Sequence, residues 1–189
     1  MNLKGKSILF LGSSVTYGSA SGGISFADIM SEKYGINSVK EAVSGTTLAD
    51  TDKTSYVSRL KTVNKDLKFD LFVCQLSTND ATKNIDISEI EKAIRFIAEY
   101  VKTTFNCPIV FYTGTYFENE LYAKMVDLLY DLMKEYNFYI LDLYHSEDML
   151  SVSEADYRRY MRDPIHPTLA GYDEWWTPKF VDFCRRILK

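Results

Sequence analysis

Two histidines, His145 and His166, are the chain's whole supply of imidazole, so a histidine base must be one of them. His166 follows Asp163 by three residues in Arg162-Asp163-Pro164-Ile165-His166-Pro167. That spacing lets the carboxylate reach the imidazole Nδ1 within one loop turn, and Pro164 and Pro167 restrict the backbone around the pair. His145 also has acidic neighbours, Asp142, Glu147 and Asp148, and is the alternative base. Near the other end of the chain, Ser14 lies in Gly12-Ser13-Ser14-Val15-Thr16-Tyr17-Gly18, just after an apolar run. Asn79, in Ser77-Thr78-Asn79-Asp80, carries a side-chain amide that can donate to an oxyanion, although Asn-Asp pairs also suit turns. Gly45, in Val43-Ser44-Gly45-Thr46-Thr47, is either a plain turn residue or one that lets a backbone N–H approach a substrate oxygen closely. A hydroxyl nucleophile, an imidazole base, an orienting carboxylate and N–H donors are the parts of acyl transfer.

Other chemistries fail on residue type. The glycine-containing loop at Ser14 has neither G-x-G-x-x-G spacing nor a G-K-[ST] ending, which excludes the usual dinucleotide and P-loop signatures. It is not a G-x-S-x-G elbow either, because Thr16 stands two residues after Ser14. The acidic residues around His145 lack HExxH or Cys/His spacing, so no metal is expected. Cys74, Cys107 and Cys184 form no CxxC pair and read as small, reduced, buried hydrophobes. No organic cofactor is called for.

These residues must be positioned by a scaffold. Five apolar runs, at 7–11, 38–43, 69–76, 108–113 and 138–143, are nearly continuous, as expected of parallel strands covered on both faces. Helical patterns separate them. Ser88-Glu89-Ile90-Glu91 reads as a capping box, followed by Ile90, Ala93, Ile94, Ile97, Ala98 and Val101 at helical spacing. Leu121, Met125, Leu128, Leu129, Leu132, Met133 and Tyr136 repeat the pattern. Weaker versions occupy 26–34 and 57–67, and a final segment at 168–188 should kink or split at Pro178. Five alternations of strand and helix imply one domain over 1–189, an α/β protein built as a three-layer α/β/α sandwich. In such sheets ligands bind beyond the carboxyl ends of the strands, where Ser14, Gly45, Asn79 and the 163–166 loop all fall. The long connection 144–167 reads as irregular, and its charged stretch 145–162 as a solvated loop or a lid.

Composition sets the outer bounds. The chain has 189 residues, 46% hydrophobic and 25% charged, which suits one ordinary globular domain. A net charge of -4 argues against a strong electrostatic grip on nucleic acid or an anionic membrane. No run reaches the roughly 20 apolar residues of a membrane span, and no secretory leader is visible, so a cytoplasmic location is the default expectation. The sequence does not speak to oligomeric state.

Taken together, the blocks around Ser14, Gly45, Asn79 and Asp163–His166, the last followed by Gly171-Tyr172, resemble the SGNH or GDSL hydrolase family in order and spacing. The resemblance implies a flavodoxin-like, five-stranded parallel sheet in the order 2-1-3-4-5. Two departures stand out. Ser13 occupies the place of the family's aspartate in its Gly-Asp-Ser block, and Ser77 that of a glycine in the third block. The first leaves the triad intact; the second bears on how large a substrate fits.

The expected mechanism is acyl transfer to water through an acyl-enzyme, with Ser14 as nucleophile, His166 as base and Asp163 orienting the imidazole. The backbone N–H groups of Ser14 and Gly45 and the Asn79 amide would form the oxyanion hole. Tyr17, Tyr116 and Phe117 lie on loops at the active edge and are expected to wall the substrate pocket. With no wide apolar face for docking on lipid, the expected partner is a small-molecule ester, short-chain or a carbohydrate-linked acetyl. An acyltransferase using the same intermediate and a non-catalytic flavodoxin-like binding module are the alternatives.

Overall fold

Among residues 2–188, which the computed structural model describes, five strands form a single parallel sheet in the order β2-β1-β3-β4-β5. They are β1 (Ser7–Gly12), β2 (Asn37–Ala42), β3 (Leu71–Gln75), β4 (Ile109–Tyr112) and β5 (Tyr139–Leu141). The register pairs Leu9 with Val39 on one side and with Phe72 on the other, and Gln75 with Tyr112. β1, β3 and β4 are buried almost throughout, which explains their continuous apolar runs, whereas β2 is an edge strand and half exposed.

Successive side chains of a strand point to opposite faces, so each strand feeds two cores. Leu9, Leu11, Phe72, Cys74, Ile109 and Phe111 pack under α3 (Tyr56–Leu60), α5 (Ile87–Thr104) and α6 (Glu120–Tyr136). Ile8, Phe10, Leu71, Val73, Val110 and Tyr112 pack under α2 (Phe26–Tyr34) and α9 (Thr177–Ile187). Phe26 anchors the second core, stacking on Phe180 at 3.8 Å between ring centroids and meeting Tyr112 edge-on at 5.3 Å. No helix among the described residues is long and apolar enough to cross a membrane.

Four local expectations change. α5 is capped by Asp86, whose carboxylate accepts the Ser88 N–H at 2.8 Å, so Ser88 is already inside the helix. The helix after the second strand is only Tyr56–Leu60, and turns follow it from Lys61. Pro178 lies within one continuous helical run, where the chain passes from the π-helical Gly171–Trp176 into α9, so the segment changes helix type there rather than breaking. The 144–167 connection is not irregular. It contains α7 (Glu147–Leu150) and α8 (Glu154–Tyr160), with serines at both N-caps, and closes on a Met161–Pro167 bridge.

Candidate active site

The nucleophile turn begins where β1 ends. Ser14 opens α1 (Ser14–Tyr17), so its N–H has no carbonyl four residues back within that helix. Gly18 ends α1 at φ 90°, and an added Cβ there would lie 2.4 Å from the Ile24 carbonyl oxygen. Gly12 is needed for a different reason: its Cβ would overlap the Thr16 hydroxyl at 1.8 Å. Beneath the turn, the buried Gln75 Oε1 accepts from the Ser13 N–H (3.0 Å), the Thr16 N–H (3.3 Å) and the Thr16 hydroxyl (2.9 Å). Tyr112 Oη completes this cluster, 2.6 Å from Thr16 Oγ1. Gln75→Leu removes the acceptor for two buried backbone donors. It should lower unfolding free energy by about 1–3 kcal/mol per stranded N–H, read as a drop in the urea midpoint.

The base comes from the other end of the chain. His166 Nε2 lies 2.9 Å from Ser14 Oγ, and His166 Nδ1 lies 2.9 Å from Asp163 Oδ2. With Nδ1 protonated toward Asp163, Nε2 is left to accept the serine hydroxyl. Asp163 also accepts the N–H groups of Ile165 and His166, each at 2.8 Å, so one short turn fixes carboxylate and imidazole together. The Arg162 N–H to His166 carbonyl bond (2.8 Å) closes that loop. Gly171 lets the π-helix approach α8, since a Cβ there would meet the Tyr160 carbonyl oxygen at 2.0 Å. From the same π-helix the buried Tyr172 hydroxyl donates to the Val15 carbonyl at 2.6 Å, tying the histidine-bearing segment to the nucleophile helix.

The other two expected donors, Asn79 and Gly45, lie on segments that follow β3 and β2. Asn79, in α4 (Thr78–Thr82), spends one amide N–H on the Thr46 carbonyl at 2.9 Å, and its second has no protein partner among the described residues. Gly45 is exposed at φ 79°, a Cβ on it would meet nothing within 4 Å, and its carbonyl accepts from Lys83 Nζ at 2.7 Å. The two loops are locked together by Asp80, whose carboxylate accepts the N–H groups of Leu48 (2.7 Å) and Ala49 (2.9 Å). Burial pushes the Asp80 carboxyl above its ordinary value in spite of those bonds. Ser77 is fully buried, its hydroxyl turned toward the Thr46 carbonyl rather than into the site.

His145 forms a second Asp-x-x-His pair, with Nδ1 2.8 Å from Asp142 Oδ2, but Ser14 is bonded to His166. Desolvation works upward on both Asp163 and Asp142. For Asp163 the Ile165 N–H and His166 outweigh it, and for Asp142 the Tyr130 hydroxyl and His145, so both end below the ordinary carboxylate value. A folded-state pKa below the unfolded one gives stability that is complete above the unfolded pKa and is lost as pH falls through the folded one. The melting temperature should therefore decline as pH drops below about 4, and Asp142→Asn should blunt that decline in a pH-resolved thermal scan.

The structure thus brings Ser14, Asp163, His166, Gly45 and Asn79 to one end of the sheet. Tyr17 and Tyr116 are exposed, Tyr17 beneath Lys40 Nζ at 5.5 Å and Tyr116 against Tyr144 at 5.1 Å. Phe117 is not a pocket wall: it is buried in the core with its ring 4.8 Å from Tyr122, because the loop after β4 folds it inward. The sequence alone does not point to a role for Gln75 or Arg59, and it places Asp80 and Tyr172 within the blocks without assigning them one. Gln75 stands out as the lone polar residue of the apolar run Leu71-Phe72-Val73-Cys74-Gln75-Leu76, but nothing beside it names the turn it holds.

The fold is shared with several solved structures. A Lactobacillus plantarum protein superposes with a TM-score of 0.82 at 18% identity, covering 97% of this chain and 98% of its own. An acetylxylan esterase from Geobacillus stearothermophilus gives 0.73 at 18% identity, covering 99% of this chain and 96% of its own. A family two carbohydrate esterase from Clostridium thermocellum gives 0.72 at 13% identity, covering 96% of this chain and 64% of its own. No curated protein matches the sequence. Residues 10–174, which span every block described above, match the GDSL-like lipase/acylhydrolase family, and the chain belongs to it.

Proposed function

We propose that the protein is a serine esterase that hydrolyses small acyl esters through a covalent acyl-enzyme. One observation carries the reading: the continuous relay from Ser14 Oγ to His166 Nε2, and from Nδ1 to the Asp163 carboxylate, at 2.9 Å per step. In the first half-reaction His166 takes the Ser14 hydroxyl proton as Oγ bonds to the ester carbonyl carbon. The carbonyl oxygen becomes an oxyanion held by the N–H groups of Ser14 and Gly45 and the free amide N–H of Asn79. His166 then hands its proton to the departing alcohol as the C–O bond breaks. Water repeats the sequence on the acyl-enzyme, releasing acid and restoring Ser14.

Asp163 holds the tautomer that leaves Nε2 free to accept, and stabilises the imidazolium between the two transfers. Tyr17 and Tyr116 are the side chains we place beside the bound ester, being exposed aromatics at the end of α1 and on the loop after β4. The acetylxylan and carbohydrate esterases that share the fold support a carbohydrate-linked acetyl group as the substrate class. Acetate release from peracetylated xylose, set beside nitrophenyl acetate and nitrophenyl palmitate, tests this. Turnover of the two acetates and none of the palmitate is expected; preference for palmitate would overturn the substrate class. Added alcohols should leave acid as the dominant product, whereas mainly transesterified product would make the enzyme a transferase.

A further inference from the structure

Arg59 is buried in α3, outside every catalytic block, yet its guanidinium reaches two of them. Its Nη2 donates to the Gly12 carbonyl (2.7 Å) and to Thr46 Oγ1 (3.2 Å). Nη1 donates to the Glu41 carbonyl (2.9 Å) and carboxylate (3.0 Å), and Nε to the Thr54 carbonyl (2.8 Å). Gly12 is the last residue of β1, two before Ser14; Thr46 is next to Gly45; Glu41 lies near the end of β2. One planar group therefore spans the nucleophile loop, the glycine loop and the strand that leads into it.

We propose that Arg59 is a positioning residue that sets the separation between the backbone N–H groups of Ser14 and Gly45, and so the width of the oxyanion hole. This rests on the acyl-transfer reading above. A buried guanidinium is costly unless its donors are satisfied, and Glu41 alone would neutralise its charge. The other acceptors add no neutralisation. They are fixed backbone and hydroxyl oxygens, and a rigid fork of donors holds such oxygens at set distances where a lysine ammonium, a mobile point charge, does not. Direct bonds between the two loops are few: the Val43 N–H reaches the Gly12 carbonyl at 3.3 Å, and the Ser19 and Ser44 hydroxyls meet at 2.6 Å. Oxyanion donors act only when within a few tenths of an ångström of their place, so a loosened bracket reaches the chemical step first.

The test compares wild type, Arg59→Lys and Arg59→Ala on nitrophenyl acetate, with the inhibition constant of a small boronic acid as a probe of the tetrahedral state. Arg59→Lys should lower kcat by about 10²-fold with KM within a few-fold, and boronate affinity should fall in parallel. Guanidinium ion at non-denaturing concentration should restore part of the kcat of Arg59→Ala. Should neither variant fold, Thr46→Val removes one acceptor of the fork, and a several-fold loss in kcat without change in KM is expected. A folded Arg59→Lys or Thr46→Val with wild-type kcat and boronate affinity would overturn this role alone, since the wild type would still be turning over ester. Loss of kcat with no change in boronate affinity would also overturn it. A wild-type protein inert toward both ester and boronate would overturn the acyl-transfer reading and this role with it.

Discussion

Ser14→Ala is expected to lower ester turnover by about 10⁶-fold, to a small residual rate, while melting within a degree or two of wild type. The hydroxyl makes one side-chain bond, to His166, whose ring is partly exposed, so its removal strands no fully buried partner. Its chemical role has no substitute. The neighbouring Ser13 hydroxyl is buried and directed at Gln75 Oε1 (3.4 Å), away from the imidazole. His166→Ala should lower kcat by a comparable factor, and the double variant should be no worse than either single one. Groups that act as a unit fail together: once the proton acceptor is gone, the nucleophile has little left to lose. Steady-state kinetics on nitrophenyl acetate reads all three variants. Additive losses would mean that Ser14 and His166 act independently, against the 2.9 Å bond that joins them.

Asn79→Ala is expected to lower kcat by about 10²–10³-fold, the usual worth of one oxyanion donor, with KM little changed. The amide's other N–H holds the Thr46 carbonyl, so part of any stability loss belongs to that bond. Asn79→Asp removes both amide N–H groups, the one to the Thr46 carbonyl included, and adds a negative charge. It keeps the shape but sets a carboxylate where negative charge develops, and its kcat should fall further than that of the alanine variant. An aspartate variant more active than the alanine one would remove Asn79 from the oxyanion hole.

The sheet was readable in advance because its physics is local and repetitive. Runs such as Phe72-Val73-Cys74 are apolar at every position because both faces of β3 are covered, and the helices between the runs show their inner faces at regular spacing. The edge strand was harder to bound, since the charged Lys40 and Glu41 interrupt its apolar character. Residues 144–167 were misread as irregular because α7 and α8 are too short to show a period, and α8 buries none of its residues.

The site divides along the same line. Asp163 and His166 sit in one turn, so their pairing could be argued from spacing; Ser14 meets them only through the sheet topology. Gln75, Arg59 and Asp80 act through bonds across long sequence separations, and nothing local to them announces the loops they hold. Phe117 was misplaced for the opposite reason. Its position beside the exposed Tyr116 suggests a pocket wall, but only the packing against Tyr122 tells which of the two turns inward.

The most direct test of the central claim is to treat the intact protein with a fluorophosphonate and map the adduct by peptide mass spectrometry. A single phosphonyl group on Ser14, absent from Ser14→Ala and strongly slowed in His166→Ala, is the predicted result. A protein that stays unlabelled under conditions that saturate a known serine esterase, or that carries the group elsewhere, would contradict the account.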